Sequence, residues 1–530
     1  MGTLFIIIVI AIVLLLYSVY TLWPGLQSSV NTLVAPGRGQ VSPLAVKHPR
    51  VESQVELREG ATSRLGSKAP WGLLIARERL ALWVLFVAAL LLRVLFLESV
   101  PNTVTADELD FSRDLMAIFT GQGTGFFGLD WTPEPAWSIY LMAGSWRLFG
   151  MTLFAERLVS AILSAIAIFP FYALTRRTVS VPAAFIATAL FAAARWYLLF
   201  SRSAWNNAHI VLYMLLAAWA LTLALERGRG RYWVLYGAAL ALLLYGYFGG
   251  RAVVIAFIIY LLVVLLQRAR GAQPGGWRPV LVGGIIAVVV CAALFAPEMP
   301  TILANQGAFN TRTNAVYIFN QPLQPGQTKF SVLFGQVTAT VRSFVFMDGS
   351  YSGGTMGRYK PPGQGWLDPV SALLYLGGLV LAAIRFRRFA LWWCLFLIPL
   401  GLTQLLSVGT PDGARGLPAV APMYFFAALA IDWLLRLRWF STELARVGVL
   451  TAALLVGAFN VSSYVDWVDS PAQQAARQPA VPVEGYYTWR DFQLARLRAR
   501  QGSMTAGEYD TLSPAQIAAQ IFGLPIPPAH

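Results

Sequence analysis

Apolar and polar residues follow one another along this chain in long blocks rather than in narrow amphipathic stripes. Runs near twenty apolar residues, the length that crosses the hydrocarbon core of a bilayer as a helix, recur from one end to the other. Twelve are read, at residues 4–23, 80–98, 153–174, 181–200, 207–225, 232–248, 251–267, 279–296, 368–384, 390–408, 418–435 and 445–463. The pattern predicts an all-α, polytopic integral membrane protein of about twelve transmembrane helices, because only a helix satisfies its own backbone inside lipid at that length. The first run has no basic segment before it and no small-residue cleavage site after it, and is read as a helix rather than a leader. Residues 24–79 then form a polar, basic linker carrying Arg38, Lys47, Arg50, Arg58, Arg64, Lys68 and Arg77.

Three segments between or after the spans are too long for simple turns: 98–152, 297–367 and the tail 464–530. Long connections on a rigid scaffold are the usual place for chemistry. The first is predicted to hold two amphipathic surface helices. One starts after Thr105, with Phe111, Leu115, Ile118 and Phe119 at helical spacing; the other runs over 136–149 with Trp137, Tyr140, Leu141 and Trp146.

Composition narrows the class. Of 530 residues, 57% are hydrophobic and 12% charged, against about 25% charged in soluble domains. This excludes a soluble enzyme, a disordered scaffold and a disulfide-stapled module. The 40 Lys and Arg exceed the 25 Asp and Glu, giving +15, yet the excess does not point to nucleic acid. It collects in every second connection, at Arg176 and Arg177, at Arg227, Arg229 and Arg231, at Arg268, Arg270 and Arg278, at Arg385, Arg387 and Arg388, and at Arg436 and Arg438. The positive-inside rule assigns those connections to the cytoplasm, and both termini and all three long segments to the outer face.

The chemistry-bearing residues lie on that outer side. Thr105-Ala106-Asp107-Glu108 follows the second span, and adjacent carboxylates there can take a proton from a hydroxyl. The same string reads as a capping box, Thr105 with Glu108, plus a first-turn acid. Glu134 lies between Pro133 and Pro135, either orienting an acceptor or serving as a first-turn acid behind a Thr132 cap. Arg93, Arg202, Arg251 and Arg415 sit at the outer ends of spans, where each either snorkels to headgroups or helps clamp an anion such as a lipid-linked phosphate. Arg157 and Arg195 are weaker candidates, able simply to pair with an acid such as Glu156 or to reach the headgroups. The second long loop adds Arg358 and Lys360 as accessory or acceptor contacts, in a segment that either closes over a substrate or merely caps the bundle. Asp107 and Glu108 offer the oxygen ligands a divalent Mg or Mn ion prefers. With three histidines in the chain, and Cys291 and Cys394 both inside apolar spans, a His- or Cys-based metal centre is not expected. No nucleotide-binding glycine loop or serine nucleophile elbow occurs.

Taken in order, the span ending in Arg93, Ala106-Asp107-Glu108, Glu134-Pro135, Leu148-Phe149-Gly150, Ala155-Glu156-Arg157-Leu158, Phe200-Ser201-Arg202, the stretch from Tyr245 to Arg251 and that from Pro411 to Pro418 resemble the glycosyltransferase 39 family. This is the GT-C membrane fold of protein O-mannosyltransferases and lipid A aminoarabinose transferases, and the resemblance covers roughly residues 80–465. It implies transfer of a sugar from a polyprenyl-phosphate-linked donor to an acceptor hydroxyl on protein, lipid or glycan, at the exoplasmic face of a bacterial plasma membrane. Carried onto this sequence, Asp107 matches the family's catalytic acid, Glu108 the acid beside it, and the arginines its donor-phosphate contacts. Two departures stand out. Glu134-Pro135 replaces the His-Pro-Pro or Lys-Pro-Pro step of many relatives, and the first span with its linker lies outside the family core. That extra span, or the tail, could dock a protein partner. Two other classes remain open: a catalytically silent structural subunit of a membrane complex, and a lipid or sugar transporter, the latter expected to show paired repeats and spans broken near the midplane.

Overall fold

The computed structural model describes residues 71–101, 104–119, 121–129, 134–271, 276–345, 360–361, 363–437, 443–470, 497, 504–512, 516 and 520. The expected first span, most of the linker after it and Arg358 lie outside these residues. Described residues form helices α1 (Trp71–Val94), α2 (Ala106–Phe119), α3 (Trp137–Phe149), α4 (Leu153–Thr175), α5 (Val181–Ala193), α6 (Arg195–Ser201), α7 (Asn207–Arg227), α8 (Gly230–Gly246) and α9 (Gly249–Ala269). They continue with α10 (Arg278–Ala304), α11 (Gln306–Val316), α12 (Lys329–Val345), α13 (Pro369–Ile384), α14 (Phe386–Leu405), α15 (Gly413–Leu435), α16 (Glu443–Val468) and the short α17 (Ala506–Asp510). Among the described residues no strand longer than an isolated bridge occurs, as the all-α expectation requires.

Every apolar run read between residues 80 and 463 coincides with a helix or a bent helix pair. Among the described residues seven helices are long and apolar enough by themselves to cross a membrane. The run at 181–200 is instead two helices, α5 and α6, bent by 54° at Ala194, whose extended ψ of 115° breaks the hydrogen-bond ladder. α14 is irregular too: Pro399 removes a backbone donor, and the turn over Leu400–Leu405 widens to π geometry. Two boundaries differ from expectation. α1 begins at Trp71, inside the expected linker, because 71–76 is already apolar. The described part of the second long loop is largely helical, since α10 runs on to Ala304 and α11 and α12 follow.

Packing is closest where glycine removes a side chain. A Cβ on Gly378 of α13 would stand 1.6 Å from the Phe426 carbonyl oxygen of α15, so those two helices touch backbone to backbone. Around that contact the aromatic rings interlock, Trp392 stacking on Phe425 at 4.2 Å. The bundle thus has two ends. One carries α2, α3 and the turn between α6 and α7, and the other carries the arginine-rich connections after α4, α7, α9, α13 and α15.

Candidate functional site

The last turn of α1 leaves carbonyls without helical partners, and arginines supply them. Arg202, just past the end of α6, donates from Nη1 to the Leu92 carbonyl (2.6 Å) and from Nη2 to those of Leu95 (2.9 Å), Phe96 (3.2 Å) and Val100 (2.8 Å). Arg157, in the first turns of α4, donates from Nη1 to the Leu97 (3.1 Å) and Pro101 (2.8 Å) carbonyls. Its Nε meets Glu108 Oε1 at 2.8 Å, and its Nη2 meets Oε2 at 3.4 Å. Glu108 is fully buried and also accepts from the backbone N–H groups of Thr105 and Ala204, each at 3.0 Å. Thr105 Oγ1 accepts in turn from Glu108 N at 3.3 Å, completing the capping box read in the sequence. A buried ion pair is tolerated only when its remaining valences are filled, as they are here.

This knot fixes the first turn of α2. Neighbouring helix residues point about 100° apart, so with Glu108 turned into the core Asp107 lies on the flank and stays part-exposed. The turn that anchors Glu108 also anchors the other acid. Asn206 Nδ2 donates to Glu134 Oε2 at 2.5 Å, two residues beyond the Ala204 N–H that holds Glu108, so the two anchoring Cα atoms lie within about 7 Å. Glu134 is in turn within electrostatic reach of Arg251, on the first turn of α9. The Arg251 guanidinium lies 3.6 Å from the Phe309 ring centroid and 5.0 Å from that of Phe248, and donates to the Phe309 carbonyl at 3.3 Å. Trp137, whose Nε1 donates to the Tyr213 hydroxyl at 3.2 Å, joins Phe126 and Tyr245 in an aromatic wall beside Glu134. One turn thus holds both Glu108, whose neighbour is Asp107, and Glu134, whose electrostatic partner is the half-buried Arg251.

Several expected site residues lie elsewhere. Glu108 is corrected from a catalytic or metal contact to a structural one, because Arg157 and two backbone donors occupy its carboxylate. The Asp107–Glu108 pair consequently does not fit a shared divalent ion, and among the described residues no group of three or more His, Cys, Asp or Glu side chains converges. Arg202 is corrected from a phosphate contact to the cap of α1. Arg93 is fully buried, donates from Nη1 to the Ala89 carbonyl at 3.1 Å and lies over the Tyr197 ring, while its Nε and Nη2 meet no hydrogen-bond partner among the described residues. Arg415 donates to the Val408 carbonyl at 2.5 Å and pairs with Asp412 at 3.7 Å, a local loop clamp. Lys360 is buried in the segment folded onto Arg195. Arg195 donates to the Gly365 carbonyl at 2.6 Å and to Gln364 and Ser463, not to an acid, while Arg157 chooses Glu108 over adjacent Glu156. The expected Thr132 cap falls outside the described residues, and α3 starts at Trp137 with no side-chain cap, so Glu134 is not a first-turn acid. Sequence reasoning passed over Asn206. Its signal was the polar string Ser201 to Asn207 interrupting two apolar runs.

Comparison with known proteins follows the same lines. Residues 133–295 match the family model described as dolichyl-phosphate-mannose-protein mannosyltransferase, a stretch that holds Glu134, Arg157, Arg202, Asn206 and Arg251. No curated protein sequence matches the chain. Among solved structures, ArnT from Cupriavidus metallidurans bound to undecaprenyl phosphate is similar at 14% identity and TM-score 0.52, over 80% of this chain and 81% of that one. The same protein in its apo state gives 15% identity and TM-score 0.51, over 81% of each chain. The oligosaccharyltransferase of Archaeoglobus fulgidus in complex with Zn and sulfate gives 15% and 0.49, over 84% of this chain and 57% of that one. The resemblance carried by the sequence strings is borne out, and the chain has the GT-C fold of a polytopic, all-helical membrane protein.

Proposed function

We propose that this protein is a membrane glycosyltransferase that moves a sugar from a polyprenyl-phosphate-linked donor to an acceptor hydroxyl. The observation that carries the reading is that one turn holds both Glu134, the partner of Arg251, and Glu108, whose buried pair with Arg157 immobilises the first helical turn that bears Asp107. The family match over residues 133–295 and the fold shared with a protein crystallised with undecaprenyl phosphate support the donor class.

In this reading an Asp107 carboxylate oxygen takes the proton of the acceptor hydroxyl as that oxygen bonds to the anomeric carbon. The bond from the anomeric carbon to the phosphate oxygen breaks, and the phosphate leaves with the electron pair. Arg251, half-buried beside aromatic rings and therefore poorly screened, offsets the charge that grows on it. Glu134, aimed by Asn206, orients the acceptor. Glu108 is a positioning residue. The phosphate is a good leaving group once held by a guanidinium, so the scheme needs no general acid.

The arginine-rich connections at the opposite end support an orientation with this site on the exoplasmic face. No nucleotide-activated sugar is supplied there, which is the physical reason for a lipid-linked donor.

The test is Asp107→Asn, assayed in vesicles carrying the purified protein and a panel of polyprenyl-phosphate sugars, mannose and aminoarabinose included. Release of free polyprenyl phosphate in the presence of a hydroxyl acceptor is the readout. A fall of about 10²- to 10⁴-fold with unchanged thermal stability is expected. Wild-type release with every donor indistinguishable from that of empty vesicles, or full activity in the variant, overturns the assignment, and the former favours a structural subunit.

A further inference from the structure

The end of the bundle opposite the candidate site carries a concavity that glycosyl transfer does not use. It is a cleft of about 380 Å³ walled by the ends of α13 and α15, the turn into α14 and Thr178 after α4. Leu381, Leu429, Phe389 and Trp433 give it an apolar floor, and Arg385, Arg388 and Arg436 a basic rim.

Its one acid is already committed. Asp432 accepts from the Ser180 backbone N–H at 2.9 Å and pairs with Arg436 at 2.7 Å. That leaves the charges of the exposed Arg385 and Arg388 at the mouth. Leading into the mouth along α13 is a stripe at helical spacing: Leu373 is 71% exposed, Val380 61% and Ile384 74%, with Leu376 between them. From Leu373 to Ile384 the stripe spans about 16 Å at the helical rise, close to the length of an acyl chain in one leaflet.

We infer that this cleft binds an anionic phospholipid, its phosphate on Arg385 and Arg388, its glycerol region over Trp433 and Leu429, and one acyl chain along α13. Charge complementarity selects the occupant. A zwitterionic headgroup would bring its ammonium to a rim with net positive charge, and a soluble anion would leave the apolar floor and the stripe unused.

The test uses the full chain purified in detergent and titrated with palmitoyl-oleoyl phosphatidylglycerol or phosphatidylcholine, bound lipid being counted by native mass spectrometry. R385Q/R388Q should weaken phosphatidylglycerol binding about thirtyfold, the size expected for two guanidinium charges at a headgroup surface. Both residues are exposed, so the fold is not at stake. R229Q/R270Q, which removes two exposed arginines from other connections at the same end, should bind as wild type. Equal losses in the two double variants, no loss in the first, or phosphatidylcholine bound as tightly as phosphatidylglycerol would overturn the inference. Displacement of the lipid by millimolar glycerol 3-phosphate would reassign the cleft to a soluble phosphate ester and overturn it too.

Discussion

Removing Arg157 is the sharpest probe of how the candidate site is held. In Arg157→Met the Glu108 carboxylate stays fully buried, keeping its bonds to the Thr105 and Ala204 N–H groups but losing its cation, and the Leu97 and Pro101 carbonyls lose their donor. Stranding one member of a buried ion pair costs about 3–5 kcal/mol. Glu108→Gln strands the other member and should fall in the same range. Because the two changes break one shared interaction, the double variant should be less destabilised than their sum, by about 2–3 kcal/mol. Unfolding in mixed micelles titrated with a denaturing detergent, followed by tryptophan fluorescence, gives the three values. Additivity within about 0.5 kcal/mol would mean that the pair is not a unit and that α2 is held by something else. The claim that Asp107 sits on a rigid platform would then fail.

The other predictions follow from single contacts. Arg202→Gln leaves up to three carbonyls at the end of α1, those of Leu92, Leu95 and Val100, short of a donor, and at about 1–3 kcal/mol for each buried group left bare the variant should fail to accumulate as a monodisperse species on size-exclusion chromatography. Gly378→Leu should separate α13 from α15, lowering the midpoint of thermal aggregation, whereas Gly377→Leu, whose added Cβ would make only an ordinary 3.7 Å contact with Ala430, should be milder. Arg251→Gln should raise the KM for the lipid-linked donor and lower kcat while leaving the unfolding free energy within about 0.5 kcal/mol of wild type; a purely structural Arg251 would shift stability instead. In α17 the Thr505 backbone N–H and hydroxyl hold the Glu508 carboxyl below its usual range. A depressed carboxylate stabilises above its ordinary pKa and loses that contribution as pH falls through the lowered one. Hydrogen exchange at residues 505–509, corrected for intrinsic rate, should therefore lose protection on acidification in the wild type and show no such transition in Glu508→Gln.

Hydropathy made the bundle legible because lipid imposes one rule on every span, and each run between 80 and 463 fell on a helix or a bent helix pair. It was silent on the bend at Ala194, since alanine carries no mark of a break. Local spacing also served α2, whose capping box is present as read. The arginines were not legible. A guanidinium at the end of a span looks the same in sequence whether it meets a lipid phosphate or four backbone carbonyls, and only the fold of residues 92–101 distinguishes Arg202 from Arg251. Glu108 and Asp107 differ by one position and so by about 100° of helix, enough to send one into the core and leave the other part-exposed. Glu134 took its partner from a residue 72 positions away, beyond the reach of any local rule.

The clasp that Arg202 places on residues 92–100 has a meaning for biogenesis. Its donor is synthesised more than a hundred residues after the carbonyls it satisfies, so while the ribosome is still making α2 through α5 the Leu92, Leu95 and Val100 carbonyls wait for the guanidinium that caps them in the finished fold. During that interval water at the membrane surface or the insertion machinery must solvate them. Truncated nascent chains ending before residue 202 should stay bound to that machinery, and those extending past α6 should be released into lipid.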